Sequence, residues 1–346
     1  MNKLRCLVSI VGLVGCGFPR PPDVPDPGSA GDAGGDSAPF VPPPSCVGQT
    51  MTCGPSGNES CCTSLAVPGG RYYRSFDLAG TPMTSGNTNA PATISRFRLD
   101  KYEVTVERFR AFVMHGTSTK ASPPAIGSGL HPGIPATGWE SSWDDSLAAD
   151  MPTLTAALKC NPTFQTWTAA PGPNEHRPIN CVTWYEAMAF CAWDGGFLPT
   201  EAEWNYAAAG GDAQRVYPWA SPASSLQIDG PQASWAMGDG QECLGDGMLE
   251  CALTDLVEVG TKPAGNGRWG QADLAGNVQE WVLDWYTSDY SNPCTDCAYL
   301  ANTGYRVMRG GDLFSSQDDV RTGTRARNLP ASRSETTGFR CARDAP

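Results

Sequence analysis

Cysteine is the first candidate for redox or metal-binding chemistry in this chain. There are 14 cysteines but only 3 histidines, and 14 less the two in residues 1–16 leaves 12. Because this remainder is even, we expect all of it to form structural disulfides in an oxidising compartment. The spacings of Cys243 to Cys251 and Cys294 to Cys297 predict local loops, and the other pairings cannot be deduced from the sequence. Zinc is the alternative at "CTDC", but no second C-x-x-C completes such a site.

Arginines gather towards the C-terminus of an otherwise acidic chain. Arg321, Arg325 and Arg327 follow one another closely, and they predict a candidate groove for a peptide or an anionic ligand. The alternative is an internal ion-pair network with neighbouring carboxylates, which would be those of Asp312, Asp318 and Asp319.

The overall charge limits the classes of partner. The formal net charge is −12 and only 17% of residues are charged, so no basic face is available for phosphate binding. We therefore expect no nucleic-acid partner. Glycine (39) and proline (30) make up a fifth of the chain, which predicts much of its length in turns and loops.

The N-terminus is typical of an exported protein. Lys3 and Arg5 precede an apolar run that is far shorter than the ~20 residues of a membrane span. Residues 1–15 are therefore predicted to be a signal peptide. The run ends in "LVGC", which resembles the lipobox of bacterial lipoproteins, and this implies lipidation of Cys16. Gly17 then favours the outer membrane or cell surface, so we expect an extracytoplasmic, lipid-anchored protein with the membrane as a partner.

Composition divides the rest of the chain into three segments. Residues 16–45 hold the lipidated cysteine and a tether rich in Pro, Gly and Asp, which contains too few apolar side chains to fold. Its upper reach is roughly 90 Å at ~3.1 Å per residue. A cysteine-rich leading segment covers residues 46–66, and one long domain covers residues 67–346.

Helix-capping signals predict the elements that would position any site. Thr183 and Thr200 are each followed three residues later by a glutamate, which forms a capping box. A third helix is predicted to begin near Thr105. Short β-type runs such as "RYYRSF", "ISRFRLDKYEVT" and "GYRVMRGG" alternate with long loops. These features predict an α+β domain with few, short elements.

Several ordered motifs together resemble the formylglycine-generating enzyme / sulfatase-modifying factor family. The resemblance begins at Val67 and rests above all on "RPINCVTWYEAMAFCAWDGGFLPTEAEWNYAAAGG", "DLAGNVQEWVLDWY", "YRVMRGG" and "GFRCAR". It implies an α+β variant of the C-type lectin fold with little regular secondary structure, here cross-linked by disulfides. It also implies that Cys341, in the last motif, belongs to the scaffold.

The resemblance places the family's redox chemistry at two positions of this chain. Members that oxidise sulfatase cysteines to formylglycine bind copper through two cysteines, five residues apart, after the GG motif. The matching positions here are Ser315 and Val320. A serine hydroxyl is a poor ligand for Cu(I) and valine has no donor atom. We therefore expect no catalytic residues of this type and no copper.

The resemblance also implies a calcium site in the segment "DLAGNVQE". Carried over residue by residue, the ligands would be the side chains of Asp273 and Glu280 and the backbone carbonyls of Gly276 and Val278. Hard oxygens that converge within eight residues suit calcium. The alternative is a loop of the same shape that binds no metal.

These observations predict a non-catalytic binding or scaffolding module, because loops on a rigid framework commonly carry recognition. Its ligand would be a peptide, a protein or a glycan. The alternative function is that of an enzyme, either a formylglycine-generating oxidoreductase with relocated cysteines or a family member that modifies another substrate.

Overall fold

Four α-helices form in the computed structural model, which describes residues 42–48, 52–79, 88–238, 240 and 242–345. The described residues all fall within one compact unit, Phe40–Pro346. The predicted signal peptide and the predicted lipidation site Cys16 lie outside them. The helices are α1 (Val106–His115), α2 (Met151–Ala157), α3 (Trp184–Trp193) and α4 (Glu201–Ala208).

The three predicted helix starts are confirmed. The Thr105 side chain accepts a hydrogen bond from the Arg108 amide at the start of α1. Thr183 and Thr200 each complete a capping box, at α3 and α4. Sequence reasoning missed α2, although Asp150 caps it and Pro152 stands in its first turn, both of which are local start signals.

The strands are short, as the sequence predicted. Their bounds are β1 Thr52–Cys53, β2 Glu59–Ser60, β3 Ser64–Val67, β4 Gly70–Tyr73, β5 Pro91–Ile94, β6 Phe97–Asp100, β7 Ala236–Met237, β8 Glu242–Cys243, β9 Gln279–Trp285, β10 Cys294–Thr295, β11 Arg306–Arg309, β12 Ala326–Asn328, β13 Thr337–Gly338 and β14 Ala342–Arg343. A four-stranded sheet has the order β12-β11-β9-β13, and two three-stranded sheets have the orders β14-β6-β3 and β10-β5-β4. Two hairpins pair β1 with β2 and β7 with β8.

The largest apolar cluster joins α1 and α3 to the C-terminal segment. Phe109 stacks on Phe190, with ring centroids 5.8 Å apart, and both rings contact Phe339. Cys191 and Cys341 form a disulfide within this cluster. The disulfide therefore links a helix to the C-terminal segment through a fully buried core, and the predicted scaffold role of Cys341 is confirmed.

The folded part of the chain begins before the predicted end of the tether at residue 45. Ser45 is fully buried, and its amide donates to Asp194 Oδ1 at 2.9 Å. Its hydroxyl accepts a hydrogen bond from Arg108 Nε at 3.0 Å. Composition could not show this boundary, because the contacts that hold Ser45 come from residues far away in the sequence. Within the described ranges, no helix has both the length and the apolar character needed to cross a bilayer.

Candidate functional site

The first position of the implied thiol pair, Ser315, belongs to a tight turn. Its hydroxyl donates to Asp312 Oδ1 at 3.1 Å and accepts from the Asp312 amide at 3.0 Å. The Ser315 carbonyl accepts from Ala236 N in the β7–β8 hairpin at 2.9 Å. Ser315 therefore stabilises the turn and holds the hairpin against it.

The second position, Val320, lies inside an apolar cluster. It is fully buried and packs with Val216, Tyr217 and Trp235, among others. A Cβ added at Gly311 would lie 2.8 Å from Val320 Cγ1. Val320 therefore serves packing, and its side chain has no atom that could bind a metal.

All twelve cysteines of the described residues form disulfides. The predicted local loops at Cys243–Cys251 and Cys294–Cys297 are confirmed, so zinc at "CTDC" would require reduction of a bond. The six pairs are Cys46–Cys62, Cys53–Cys61, Cys160–Cys181, Cys191–Cys341, Cys243–Cys251 and Cys294–Cys297.

The implied calcium loop is a sharply turned, buried segment. Asp273 has a φ of 56°, and its Oδ2 accepts from the Gly260 amide at 2.6 Å. Gly276 has a φ of 79°, and a Cβ there would lie 1.9 Å from the Ser234 carbonyl oxygen, so only glycine fits. The Val278 amide donates to Glu103 at 3.3 Å.

Glu280 is already tightly paired. Its two carboxylate oxygens accept from Arg340 at 2.7 and 2.8 Å, and Oε2 also accepts from Trp204 Nε1 at 2.9 Å. All three side chains are almost fully buried. A cation at Glu280 would have to share this carboxylate with a guanidinium, which fits the implied calcium site only in part.

Buried acidic side chains nevertheless outnumber buried basic side chains around the loop. Burial raises the pKa of Glu103 well above its ordinary value, and the Asp273 and Glu280 carboxylates raise it further. Burial also raises the pKa of Asp273 to about 6. The nearby Asn277 Oδ1 is buried without a hydrogen-bond partner. An excess of carboxylates and an unpartnered amide oxygen suit a hard cation.

No set of three or more His, Cys, Asp or Glu side chains forms a metal-binding cluster within the part of the chain that the structure describes. The implied calcium site does not depend on such a set, since it combines two carboxylates with two backbone carbonyls. Calcium therefore stays a prediction.

The predicted arginine groove separates into two places. Arg321 is buried and pairs with Asp318 at 2.6 Å, as the ion-pair alternative predicted. Arg325 instead pairs with Glu201, through Nε at 2.6 Å and a second nitrogen at 2.8 Å.

Arg327 is exposed on β12 and has no ion pair with any described residue. Arg325 and Arg327 lie together on Tyr286, whereas Arg321 takes no part in that contact.

Guanidinium groups and tyrosine rings alternate through this region. Their separations, from guanidinium carbon to ring centroid, run from 4.3 to 5.2 Å, which is within cation–π range. We call this set the Arg/Tyr ladder; in order, it consists of Arg74, Tyr290, Arg325, Tyr286, Arg327 and Tyr305.

The ladder carries more positive than negative charge. Glu201 accepts hydrogen bonds from Arg325 and the Tyr290 hydroxyl, and it lies 3.7 Å from Arg309. Burial alone would raise the pKa of Glu201, but the two arginines lower it. One carboxylate thus faces several cations, and Arg327 presents its charge to solvent beside the partly exposed Tyr305. Sequence reasoning missed Arg74 and the tyrosines, because they lie in loops without periodicity.

Comparison with known proteins agrees with this architecture. Residues 50–345 match the Sulfatase-modifying factor enzyme 1-like domain. The chain is 31% identical over 303 residues to the mouse (Mus musculus) protein named Inactive C-alpha-formylglycine-generating enzyme 2, covering 81% of this chain and 85% of that protein. It is 29% identical over 303 residues to the Formylglycine-generating enzyme of Thermomonospora curvata, covering 81% and 93%.

Among solved structures, PvdO from Pseudomonas aeruginosa shares the fold. Its TM-score is 0.54 at 20% identity, and the match covers 83% of this chain and all of that one. The predicted α+β fold of the formylglycine-generating-enzyme type is confirmed. The chain belongs to the family of sulfatase-modifying factor enzyme 1-like domains.

Proposed function

We propose that this chain is a non-catalytic, ligand-binding member of its family, anchored by lipid at Cys16 outside the cytoplasm. The main support is the structural role of Ser315 and Val320, which stand where the family resemblance places two thiols. Ser315 is held by Asp312 and Val320 is packed in an apolar cluster. Copper-dependent oxidation of a peptide cysteine would lack its ligands there. Similarity to a protein named as an inactive enzyme is consistent with this proposal.

The Arg/Tyr ladder is the proposed binding surface. Arg327 is exposed and has no carboxylate partner among the described residues, while the neighbouring Tyr286 and Tyr305 rings hold its guanidinium in place. A fixed, unpaired guanidinium binds carboxylates or sulfates through charge-assisted hydrogen bonds. The ligand class is therefore an anionic peptide, protein or glycan.

Calcium is part of the proposal as a stabilising ion at the loop of Asp273, Gly276, Val278 and Glu280. The excess of buried carboxylates supports it. When bound, the ion would supply positive charge to offset these acids. The chain itself already supplies one counter-charge, Arg340, to Glu280.

The binding proposal can be tested with a fluorescein-labelled poly-glutamate peptide and the purified domain. Loss of one charge-assisted hydrogen bond costs about 1.5 kcal/mol, so Arg327→Gln should weaken binding about tenfold. Arg96→Gln is the matched control, because Arg96 is an exposed arginine outside the ladder. Equal weakening by both variants would show attraction to net charge alone and would contradict a specific site.

The alternative function is that of a formylglycine-generating oxidoreductase, which the similarity to the bacterial enzyme favours. A Cys-x-Pro-x-Arg peptide incubated with the domain, copper, oxygen and reductant distinguishes the two by mass spectrometry. We expect no conversion of the peptide cysteine beside an active control enzyme. Conversion to formylglycine would overturn the non-catalytic proposal.

A further inference from the structure

We propose that Cys294–Cys297 is a redox-active disulfide that exchanges electrons with thiols, with Cys297 as the reacting sulfur. Its two cysteines are three residues apart, whereas the other five disulfides span 8 to 150 residues. This role goes beyond the proposed binding function, although Arg74 belongs both to the Arg/Tyr ladder and to the surroundings of this disulfide. It also differs from the copper chemistry implied at Ser315 and Val320.

A cation lies at one of the two sulfurs. The Arg74 guanidinium donates to Cys297 Sγ at 3.4 Å. Arg74 is 4% exposed and has no carboxylate partner among the described residues. A neighbouring positive charge lowers the pKa of a thiol and stabilises its thiolate. Once the disulfide is reduced, Arg74 would therefore favour the Cys297 thiolate.

Arg74 is held rigidly in this position. One terminal nitrogen donates to the Ser291 carbonyl at 2.8 Å and to Asn292 Oδ1 at 2.9 Å. The guanidinium also lies 4.4 Å from the Tyr290 ring centroid. Because these contacts do not involve the disulfide, reduction would leave the cation in place beside the sulfur.

The two sulfurs differ in access. Cys294 is 4% exposed, whereas Cys297 is only partly buried. Cys294 belongs to the buried part of an apolar cluster and Cys297 packs against its edge, so an external thiol should approach Cys297 first. This asymmetry separates a reacting cysteine from a resolving cysteine.

The surrounding fold holds the loop without help from the disulfide. The Asp296 amide donates to the Thr93 carbonyl at 3.0 Å, and the Asp296 carboxylate accepts from both the amide and the hydroxyl of Ser95 at 2.6 Å. Strand β10 also pairs with β5. A three-residue crosslink restricts the unfolded chain less than the longer loops do, so its opening should leave the domain folded.

The exchange balances as a two-electron reaction. A partner thiol, after losing its proton, attacks Cys297 Sγ and forms a mixed disulfide; the bond to Cys294 Sγ breaks, and Cys294 takes up that proton. A second partner thiol attacks the partner sulfur of the mixed disulfide. The products are one oxidised partner disulfide, the Cys294 thiol and the Cys297 thiolate, with the second proton released. A disulfide oxidant reverses the sequence.

The first test is the order in which the disulfides open. The folded domain is titrated with reduced and oxidised glutathione, free thiols are alkylated rapidly, and the labelled peptides are identified by mass spectrometry. We expect Cys294 and Cys297 to be labelled while Cys243 and Cys251, which form the matched local loop, stay paired. Labelling of Cys243 and Cys251 first, or of both pairs together, would overturn the proposal.

The second test separates the two sulfurs and the role of the cation. With oxidised glutathione, Cys294→Ala should accumulate a mixed disulfide at Cys297, and Cys297→Ala should accumulate far less at Cys294. Arg74→Gln should slow alkylation of the reduced pair near pH 7 about tenfold by raising the pKa of Cys297 by roughly one unit. Arg74→Lys should retain most of the rate. Equal trapping of glutathione at both cysteines would overturn the assignment of Cys297, and so would an alkylation rate of Arg74→Gln that depends on pH as the wild-type rate does. If a variant fails to fold, the glutathione titration of the wild type still decides the proposal.

Discussion

The disulfides should differ in how much they stabilise the fold, and the contribution should increase with the length of chain that each one closes. The proposed perturbation compares two double variants, Cys191→Ala/Cys341→Ala and Cys294→Ala/Cys297→Ala. The first pair is separated by 150 residues and the second by 3. If a disulfide acts by restricting the unfolded chain, the long loop contributes about 5 kcal/mol to the free energy of unfolding and the short one about 2 kcal/mol.

These energies convert to measurable shifts in melting temperature. An unfolding entropy of about 2.1 cal/mol/K per residue over roughly 300 residues gives about 0.6 kcal/mol/K. The first double variant should therefore melt about 8 °C below the wild type and the second about 3 °C below. Cys191 and Cys341 are also fully buried in the main apolar cluster, so lost packing adds to the first value.

Differential scanning calorimetry and urea unfolding would measure both effects. The Cys191→Ala/Cys341→Ala variant should also show a larger urea m-value than the wild type, because its unfolded chain is less restricted and exposes more surface. Equal melting temperatures for the two variants, or a larger loss at Cys294–Cys297, would refute the argument from loop length. A larger loss at that pair would also weaken the proposal that it opens without unfolding the domain.

Three further predictions concern buried charge. Arg340→Met leaves Glu280 buried without its ion pair and should lower the free energy of unfolding by about 3–5 kcal/mol. Urea denaturation would measure this loss, and a loss below about 1 kcal/mol would contradict the pairing. Burial raises the pKa of Asp284 from 3.8 to about 7, so the folded state holds this proton more tightly than the unfolded state and stability should fall as pH rises from about 4 to 7. This carboxyl accounts for up to about 4 kcal/mol of that fall in the free energy of unfolding. In Asp284→Asn, the free energy of unfolding should therefore fall less over this pH range. The same pH dependence in Asp284→Asn and the wild type would contradict the prediction. Calcium at about a hundred times its dissociation constant should stabilise the domain by about 2.7 kcal/mol, measured as a higher melting temperature that a chelator reverses. Asp273→Ala should lose this response. If Asp273→Ala responds to calcium as strongly as the wild type, the proposed site is excluded.

The short-range features of this fold could be predicted from local sequence. Thr183 and Thr200 predicted two helix starts, because a capping box depends on residues only three positions apart. The cysteine loops at Cys243–Cys251 and Cys294–Cys297 followed from spacing in the same way. The missed helix α2 also had a local signal, the capping Asp150.

Ion-pair partners were only partly predictable. Of the three aspartates expected to pair with the arginine cluster, Asp318 does so, three residues from Arg321. Arg325 pairs with Glu201, which is 124 residues away, and Arg340 pairs with Glu280, which is 60 residues away. A buried carboxylate pairs with whichever cation packing brings to it, and sequence distance contains little information about that.

The family resemblance, the even set of cysteines and the absence of thiols at Ser315 and Val320 can be read from the chain before it folds, because these depend only on residue identity and order. The pairing of Cys191 with Cys341 and the contact of both Arg325 and Arg327 with Tyr286 become visible only in the folded chain. The same holds for Arg74, which lies against the sulfur of Cys297, 223 residues away. Such contacts arise when separate loops are packed onto one core. Their energy depends on distance and burial, which only the folded chain defines.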